Sequence, residues 1–396
     1  MNRTHLTIED VFNIPDSVIY EPDKFKSIYH VTIDSKNIKK NSLFIAIQGN
    51  RFDGHDFVKE AFNNGVSAVV INKRYLSRYD DVNIPLITVN NTKLALGSIA
   101  KIWRSKLNTK IIGITGSTGK TTVKDMLADL LSSKFSVNKT VANNNNDIGV
   151  PLTILSTNDH HQVLVAELGT NHFGEIPYTA KILSPDYALI TNIGNSHLEF
   201  LESKNGVWKE KSFLFHEVIR NNGKIFLNYD DPIIKEKHSR KGKRISFGFY
   251  GRVDVKGKIK SYNDNGKPQV EIKNKRKEYV LTSPLYGEQN ATNYLASVAI
   301  ALELGLNFKE INHASKRIKA TKGRLDVQKF KNFILIDDTY NANPESMKSA
   351  IDLVGKIKIY KRKILLLGDM LELGSKSKML HQSLKKEIIK NTIDEV

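Results

Sequence analysis

The sequence predicts an α/β fold built around a mostly parallel sheet. Three observations predict it. Apolar runs of strand length alternate with amphipathic runs of helix length along most of the 396 residues. The run "NATNYLASVAIALELGL" (290–306) has helical spacing and closes on a glycine, a normal helix stop. A glycine-rich turn, "GSTGK" (116–120), lies between a strand-like and a helix-like segment. The length allows two or three domains of roughly 100–200 residues each.

In chain order, "NSLFIAIQG" (41–49) reads as a buried strand. "GHDFVKEAFNNGVSAVVIN" (54–72) reads as helix, glycine turn and strand, and "VNIPLITVN" (82–90) as a further strand. These make a first domain, 1–90. A helix at 93–107 leads into a second domain, 91–319. Its strands are "KIIGIT" (110–115), "HQVLVAEL" (161–168), "DYALITNI" (186–193) and "GKIFLNY" (223–229). The lysine- and glycine-rich stretch 230–280 has short alternating runs and suggests an antiparallel patch. A third domain, 320–396, begins near "KGR" (322–324). It contains "NFILIDDTYNANPESM" (332–347), strand then helix, and "KILLLGDMLELG" (363–374), strand then loop.

Composition narrows the function classes. Hydrophobic residues at 40% and charged residues at 26% are ordinary for a globular chain. No stretch is long and apolar enough to span a membrane, and the first 25 residues lack the apolar core of a signal peptide. The absence of cysteine excludes disulfides, thiolate metal sites and a cysteine nucleophile, and fits a cytoplasmic setting. The net charge of +18 suits polyanionic partners. The basic residues are dispersed, without interleaved stacking aromatics, so a lysine-rich surface with no partner meaning is favoured over a nucleic-acid face.

The turn in "IIGITGSTGKTTVKDML" (111–127) has the order strand, glycine-rich loop, helix that makes a preformed anion site. Val123, Met126, Leu127, Leu130 and Leu131 share one face of the helix. Lys120 would neutralise phosphate oxygens and Thr121 would hold magnesium by its hydroxyl. The spacing departs from the usual G-x-x-x-x-G-K-[ST]: the position six before Lys120 is Ile114, and Gly113 lies one residue too far. An NTPase also needs a carboxylate near the metal, at the end of a neighbouring strand. Glu167 stands at such an end, and His197 just past the next one.

"GITGSTGKTT" resembles the G-x-T-G-[ST]-x-G-K-T-[TS] form of the Mur ligase family, ATP-dependent amide ligases of peptidoglycan synthesis. Further matches are "NNNNDIGVP", "ELGTNHFGEI", "NIGNSHLE", "GEQNATN" and "DDTYNANP". Together they are most similar to the member that joins D-alanyl-D-alanine to UDP-N-acetylmuramoyl-tripeptide. The resemblance implies a three-domain architecture with a central P-loop ATPase domain and a Rossmann-like C-terminal domain. With 77 residues (396 − 319) the latter is expected to be shortened against the usual ~100–150.

The resemblance also implies residue roles. ATP would lie on Gly116, Ser117, Thr118, Gly119, Lys120, Thr121 and Thr122. Asn290 and Asn293 would sit on its adenine side, and Arg324, Asp338, Asn341 and Asn343 would come from the third domain. The UDP-substrate would meet Asp34, Ser35 and Lys36, the loop with Arg51, Asp53, Gly54 and His55, and the paired Asn145 and Asn146. Lys211, fourteen residues after His197, is expected to carry a CO2-derived carbamate, making it a metal ligand with Thr121, Glu167 and His197 for a probable pair of magnesium ions; Lys209 is the alternative. Lys120, His197 and Lys211 are the expected catalytic set.

Three positions depart from the pattern: Lys36 for arginine, Phe213 for glutamate and Gln289 for histidine. A monomer is expected. Four other readings remain: a sister ligase adding the third amino acid, folylpolyglutamate synthase, a shortened nucleotide-binding remnant, and a basic P-loop ATPase acting on nucleic acid.

Overall fold

A computed structural model describes residues 4–238, 241–263 and 266–396. Among these residues three sheets form. The first has the order Val18–Tyr20, Leu86–Val89, Ala68–Asn72, Ser42–Ile45, His30–Thr32. Only Val18–Tyr20 runs antiparallel. Ser42–Ile45 and Leu86–Val89 are buried throughout, as a parallel sheet covered on both faces requires.

The second sheet has nine strands. Their order is Lys277–Thr282, Pro268–Asn274, Val255–Tyr262, Lys243–Gly248, Lys224–Asn228, Tyr187–Ile190, Lys110–Thr115, Val163–Glu167, Val137–Lys139. Pairing is parallel from Val137–Lys139 as far as Val255–Tyr262 and antiparallel beyond. The expected antiparallel patch is therefore confined to 255–282. The run "RISFG" joins the parallel sheet, because its buried Ser246, Phe247 and Gly248 extend the core beside Lys224–Asn228.

Helix Lys120–Leu131 packs on this sheet against helix Glu288–Glu303. Val123, Met126, Leu127, Leu130 and Leu131 are all buried, so the face read from the sequence is the one that packs. On the other side helix Thr92–Lys106 packs on Gly149–Leu155 and Glu175–Leu183. Trp103 there donates its indole N–H to the Thr157 carbonyl at 2.8 Å.

The C-terminal segment holds a two-stranded antiparallel ribbon, Asp326–Lys329 with Ile334–Asp337, and helices Pro344–Lys356 and Ser377–Lys390. The strand expected within 363–374 does not form. Ile364 makes one isolated parallel bridge with Glu395, with Leu365 N–H on the Glu395 carbonyl at 2.9 Å, and the pairing stops before Leu366 and Leu371, which stay exposed.

Candidate active site

The glycine turn follows the buried strand Lys110–Thr115 and enters helix Lys120–Leu131 directly. Two of its glycines are obligatory. Gly116 has φ +150°, and a Cβ there would come within 1.9 Å of Thr191 Oγ1. Gly119 has φ +79°, and its Cβ would lie 2.5 Å from Asn293 Oδ1.

The turn is stitched to the segment 191–196. Ser117 N–H donates to the Asn192 carbonyl at 3.1 Å and Thr118 N–H to Asn192 Oδ1 at 3.0 Å. Gly194 N–H and Ser196 Oγ donate to Ser117 Oγ at 2.8 and 2.9 Å. Lys120 Nζ folds back onto the Gly116 carbonyl at 2.9 Å. Burial holds this amine below the ordinary lysine range; Glu167 opposes the shift and Arg324 adds to it.

Behind the turn, Thr121 Oγ1 donates to Glu167 Oε2 at 2.8 Å, and Asn145 Nδ2 donates to Oε1 at 2.8 Å. Glu167 is 1% exposed at the end of its strand. Lys211, on helix Lys204–Arg220, is fully buried, and its Nζ has no hydrogen-bond partner. Burial pushes its pKa well below the ordinary value, and Lys120 pushes further. Glu210, Glu167 and Glu175 oppose this. Lys209 instead is exposed, 5.8 Å from the Phe173 ring centre, so Lys211 is the inward member of the pair.

His197 adopts φ +52°, and its Nδ1 lies 2.5 Å from Glu372 Oε2. Burial lowers the imidazole pKa, Lys211 and Lys120 act in the same direction, and Glu372 opposes them. Among the described residues no three His, Asp or Glu side chains make a metal-binding cluster by themselves. Thr121, Glu167 and His197 carry oxygen and nitrogen donors, and the buried Lys211 amine, near enough to act on the His197 imidazole, has no hydrogen-bond partner.

Lys120, Glu167 and His197 border a cavity of about 350 Å3. Its wall includes Ser117, Thr118, Gly119, Lys120, Thr122, Asn145, Asn146, Glu167, His197, Asn290, Asn293, Arg324, Asp338, Asn341 and Asn343. Gly116, Thr121 and Lys211 are not on its surface. Asn290 and Asn293 brace each other at 3.2 Å, and Gln289 takes its place on the wall. Arg324 stacks on Tyr340 at 4.1 Å, with its Nε buried and unpartnered. Asp338 accepts from Leu325 N–H at 3.0 Å, and burial raises its pKa to about 6. Asn343 caps helix Pro344–Lys356 through Ser346 N–H at 2.9 Å. Asn146 accepts from Gly149 N–H at 2.8 Å, opening helix Gly149–Leu155.

The N-terminal candidates do not line this cavity. Asp34 accepts from Lys36 N–H at 3.0 Å, and buried Ser35 donates to Glu60 at 2.5 Å. Lys36 and Arg51 are exposed. His55 departs from the expectation of a substrate-facing side chain. It is 2% exposed, with Nδ1 on Asp53 at 2.6 Å and Nε2 accepting from Asn72 N–H at 2.9 Å. It therefore shapes the loop. Gly54 is fixed there because a Cβ would lie 2.6 Å from Ile47 N.

Sequence reasoning missed Glu210, Glu345, Glu372 and Asn192. Glu210 is buried and accepts from Gly174 N–H at 2.9 Å and Ile176 N–H at 2.7 Å, fixing the start of helix Glu175–Leu183. Its only signal was adjacency to Lys211. Phe213, by contrast, is half-exposed and packs edge-on to His216, away from the cavity wall.

Three family regions match the chain: the Mur ligase family catalytic domain over residues 27–104, the Mur ligase middle domain over 114–301, and the Mur ligase glutamate ligase domain over 323–396. The chain is similar to the UDP-N-acetylmuramoyl-tripeptide–D-alanyl-D-alanine ligase of Bacillus subtilis, with 33% identity over 98% of this chain and 84% of that one. The corresponding ligase of Escherichia coli is 34% identical over 89% of this chain and 76% of its own length. Among solved structures, MurF from Acinetobacter baumannii superposes with a TM-score of 0.88 at 31% identity, covering 100% of this chain and 85% of the other. MurF ligase from Thermotoga maritima, solved in complex with ADP, gives 0.81 at 29% identity, covering 91% and 82%.

Proposed function

The chain belongs to the Mur ligase family, and we infer that it joins D-alanyl-D-alanine to UDP-N-acetylmuramoyl-tripeptide at the expense of ATP, a step of peptidoglycan synthesis. One observation carries the site: the glycine turn, Glu167 and His197 line one cavity together with C-terminal residues Arg324 and Asp338, and the partnerless Lys211 amine is buried close to Lys120 and Glu167.

The proposed division of labour follows the chain: 1–90 for the UDP-substrate, 91–319 for ATP, and 320–396 to close the cleft. Asp34, Ser35, Lys36, Arg51 and Asp53, with Asn145 and Asn146, would serve the nucleotide-sugar. Exposed Lys36 keeps the positive charge but offers no bidentate fork. Asn290 and Asn293 hold the adenine side, and Asn341 and Asn343 close over it. The Arg324 guanidinium, with a free Nε, suits a phosphate oxygen.

In the reaction, the Lys120 side chain and the N–H groups at the start of helix Lys120–Leu131 hold the γ-phosphate in line with the tripeptide carboxylate. A carboxylate oxygen attacks phosphorus, the bond to ADP breaks, and an acyl phosphate forms. The amine of D-alanyl-D-alanine then attacks the acyl carbon, phosphate leaves and the amine loses a proton. Arg324 and Lys120 balance the charge carried onto phosphate, and the closed cleft excludes water from the acyl phosphate.

Thr121 would hold one magnesium, and Glu167, His197 and Lys211 a second; bound magnesium supplies charge neutralisation between phosphate and carboxylate. Lys211 fits this set once its neutral amine adds CO2, forming an N–C bond and releasing a proton, because the product is an anionic oxygen ligand. The proposal includes a monomer that acts in the cytoplasm, the setting that ATP and a nucleotide-sugar substrate suit.

The test is phosphate release with ATP, magnesium, the UDP-tripeptide and D-alanyl-D-alanine. Release with a single amino acid as amine and none with the dipeptide would transfer the assignment to a sister ligase.

A further inference from the structure

The C-terminal segment touches the central sheet's active-site loop at alternate residues. Glu345, in the first turn of helix Pro344–Lys356, accepts from Asn195 N–H at 3.0 Å and from its Nδ2 at 2.9 Å. Gly194 permits this approach, since a Cβ would lie 2.7 Å from Glu345 Cδ. Two residues on, His197 Nδ1 meets Glu372 Oε2, and two beyond that, Glu199 N–H donates to the Glu372 carbonyl at 3.1 Å. Glu372 itself holds φ +60°, a backbone conformation kept here by contacts on both its carboxylate and its carbonyl.

An imidazole offers two nitrogens, and the partner of one fixes the role of the other. With Glu372 accepting at Nδ1, the proton sits on Nδ1 and the Nε2 lone pair is left free at the cavity wall. A carboxylate in this position both orients a histidine ligand and raises its basicity. None of the other described contacts of His197 does this, and Glu372 comes from a segment far along the chain.

We propose that Glu372 is a positioning residue: it sets the tautomer and orientation of His197, so that the cation site is complete only when the C-terminal segment is docked on residues 194–199. This rests on the ligase reading above for its consequence in turnover, but the tautomer itself does not depend on that reading.

The test uses the full chain, free of metal, labelled with 15N at histidine. At pH 8 the wild-type His197 ring should show Nδ1–H and an unprotonated Nε2. Glu372→Ala should shift the ring toward the Nε2–H form that a solvated imidazole prefers, and Glu372→Gln, whose carbonyl still accepts, should keep the wild-type pattern. In turnover, Glu372→Ala should lower kcat about 10–100-fold, raise the magnesium concentration needed for half-maximal rate, and leave KM for ATP nearly unchanged; Glu372→Gln should recover most of the rate. A wild-type ring already in the Nε2–H form, or an unchanged tautomer in Glu372→Ala, overturns the proposal. Normal tautomers without any ligase activity would instead discard the reaction and keep the positioning role.

Discussion

The hydroxyl of Thr121 donates to the carboxylate of Glu167 at 2.8 Å, joining the first turn of a helix to the end of a neighbouring strand. Both groups are buried, so the fold holds this pair in place, and under the proposed function it is part of the cation site. Glu167→Gln keeps the shape and removes the charge. Turnover should fall by about 100-fold or more, with the melting temperature changed little. A Gln variant with wild-type turnover at limiting magnesium would take Glu167 out of the cation site.

Lys211 makes an opposite pair of predictions in one side chain. A lysine held well below 10.5 in the native state gives up its proton at a lower pH when folded than when unfolded, so between its native value and 10.5 folding expels a proton. Stability then rises as pH climbs toward 10.5, and at neutral pH the buried amine is a liability. Lys211→Met should raise the melting temperature at pH 7 and abolish activity, and bicarbonate should not restore it. Thermal scans from pH 6 to 9 beside a phosphate assay decide the matter.

Asp338 titrates the other way. Its native pKa of about 6, against 3.8 in the unfolded chain, means that the folded state favours the proton. The stability contribution is whole below about pH 4, declines between 4 and 6, and is gone above that. Asp338→Asn retains the oxygen that accepts from Leu325 N–H. It should melt higher than wild type at pH 8 and no higher at pH 4. A lower melting point at pH 8 would show that the ionised carboxylate is stabilised.

Gly119 and Gly174 separate backbone strain from steric exclusion. Both have positive φ, +79° and +95°, but only Gly119 faces an atom, Asn293 Oδ1, where Cβ would go; Gly174 faces open space. Gly174→Ala should cost about 1–2 kcal/mol. Gly119→Ala should cost more and weaken ATP binding as well, measurable by denaturant titration and calorimetry.

Tyr178 buries its hydroxyl without a partner, pressed toward Gly97, and burial raises its pKa to about 12. Tyr178→Phe removes an unsatisfied polar group, so stability should hold or rise by roughly 1 kcal/mol. A clear loss would mean that a bound water completes the hydroxyl in solution.

The sequence carried what is local. The face of helix Lys120–Leu131, the strand ends at Glu167 and Ile190, and the glycine turn are short-range patterns of burial and backbone conformation. Lys211 was legible only through the family resemblance, and the fold buries its side chain. The sequence could not carry contacts between remote segments. Glu345 and Glu372 look like solvated acids until the fold sets them against Asn195 and His197. His55 misled for the same reason: a histidine in a polar loop reads as exposed, and only the folded chain shows both its nitrogens in use. The strand expected near Ile364 is reduced to one bridge with Glu395, because strand propensity yields a strand only where pairing runs on over several residues.

The cavity wall draws on stretches as distant in the chain as the glycine turn and the helix beginning at Pro344. A compound lodged there as a wedge, keeping Arg324 apart from Lys120, would stop turnover without imitating adenine or peptide. Resistance to such an inhibitor would first arise at wall positions that take no part in chemistry, a pattern that would distinguish it from a nucleotide mimic.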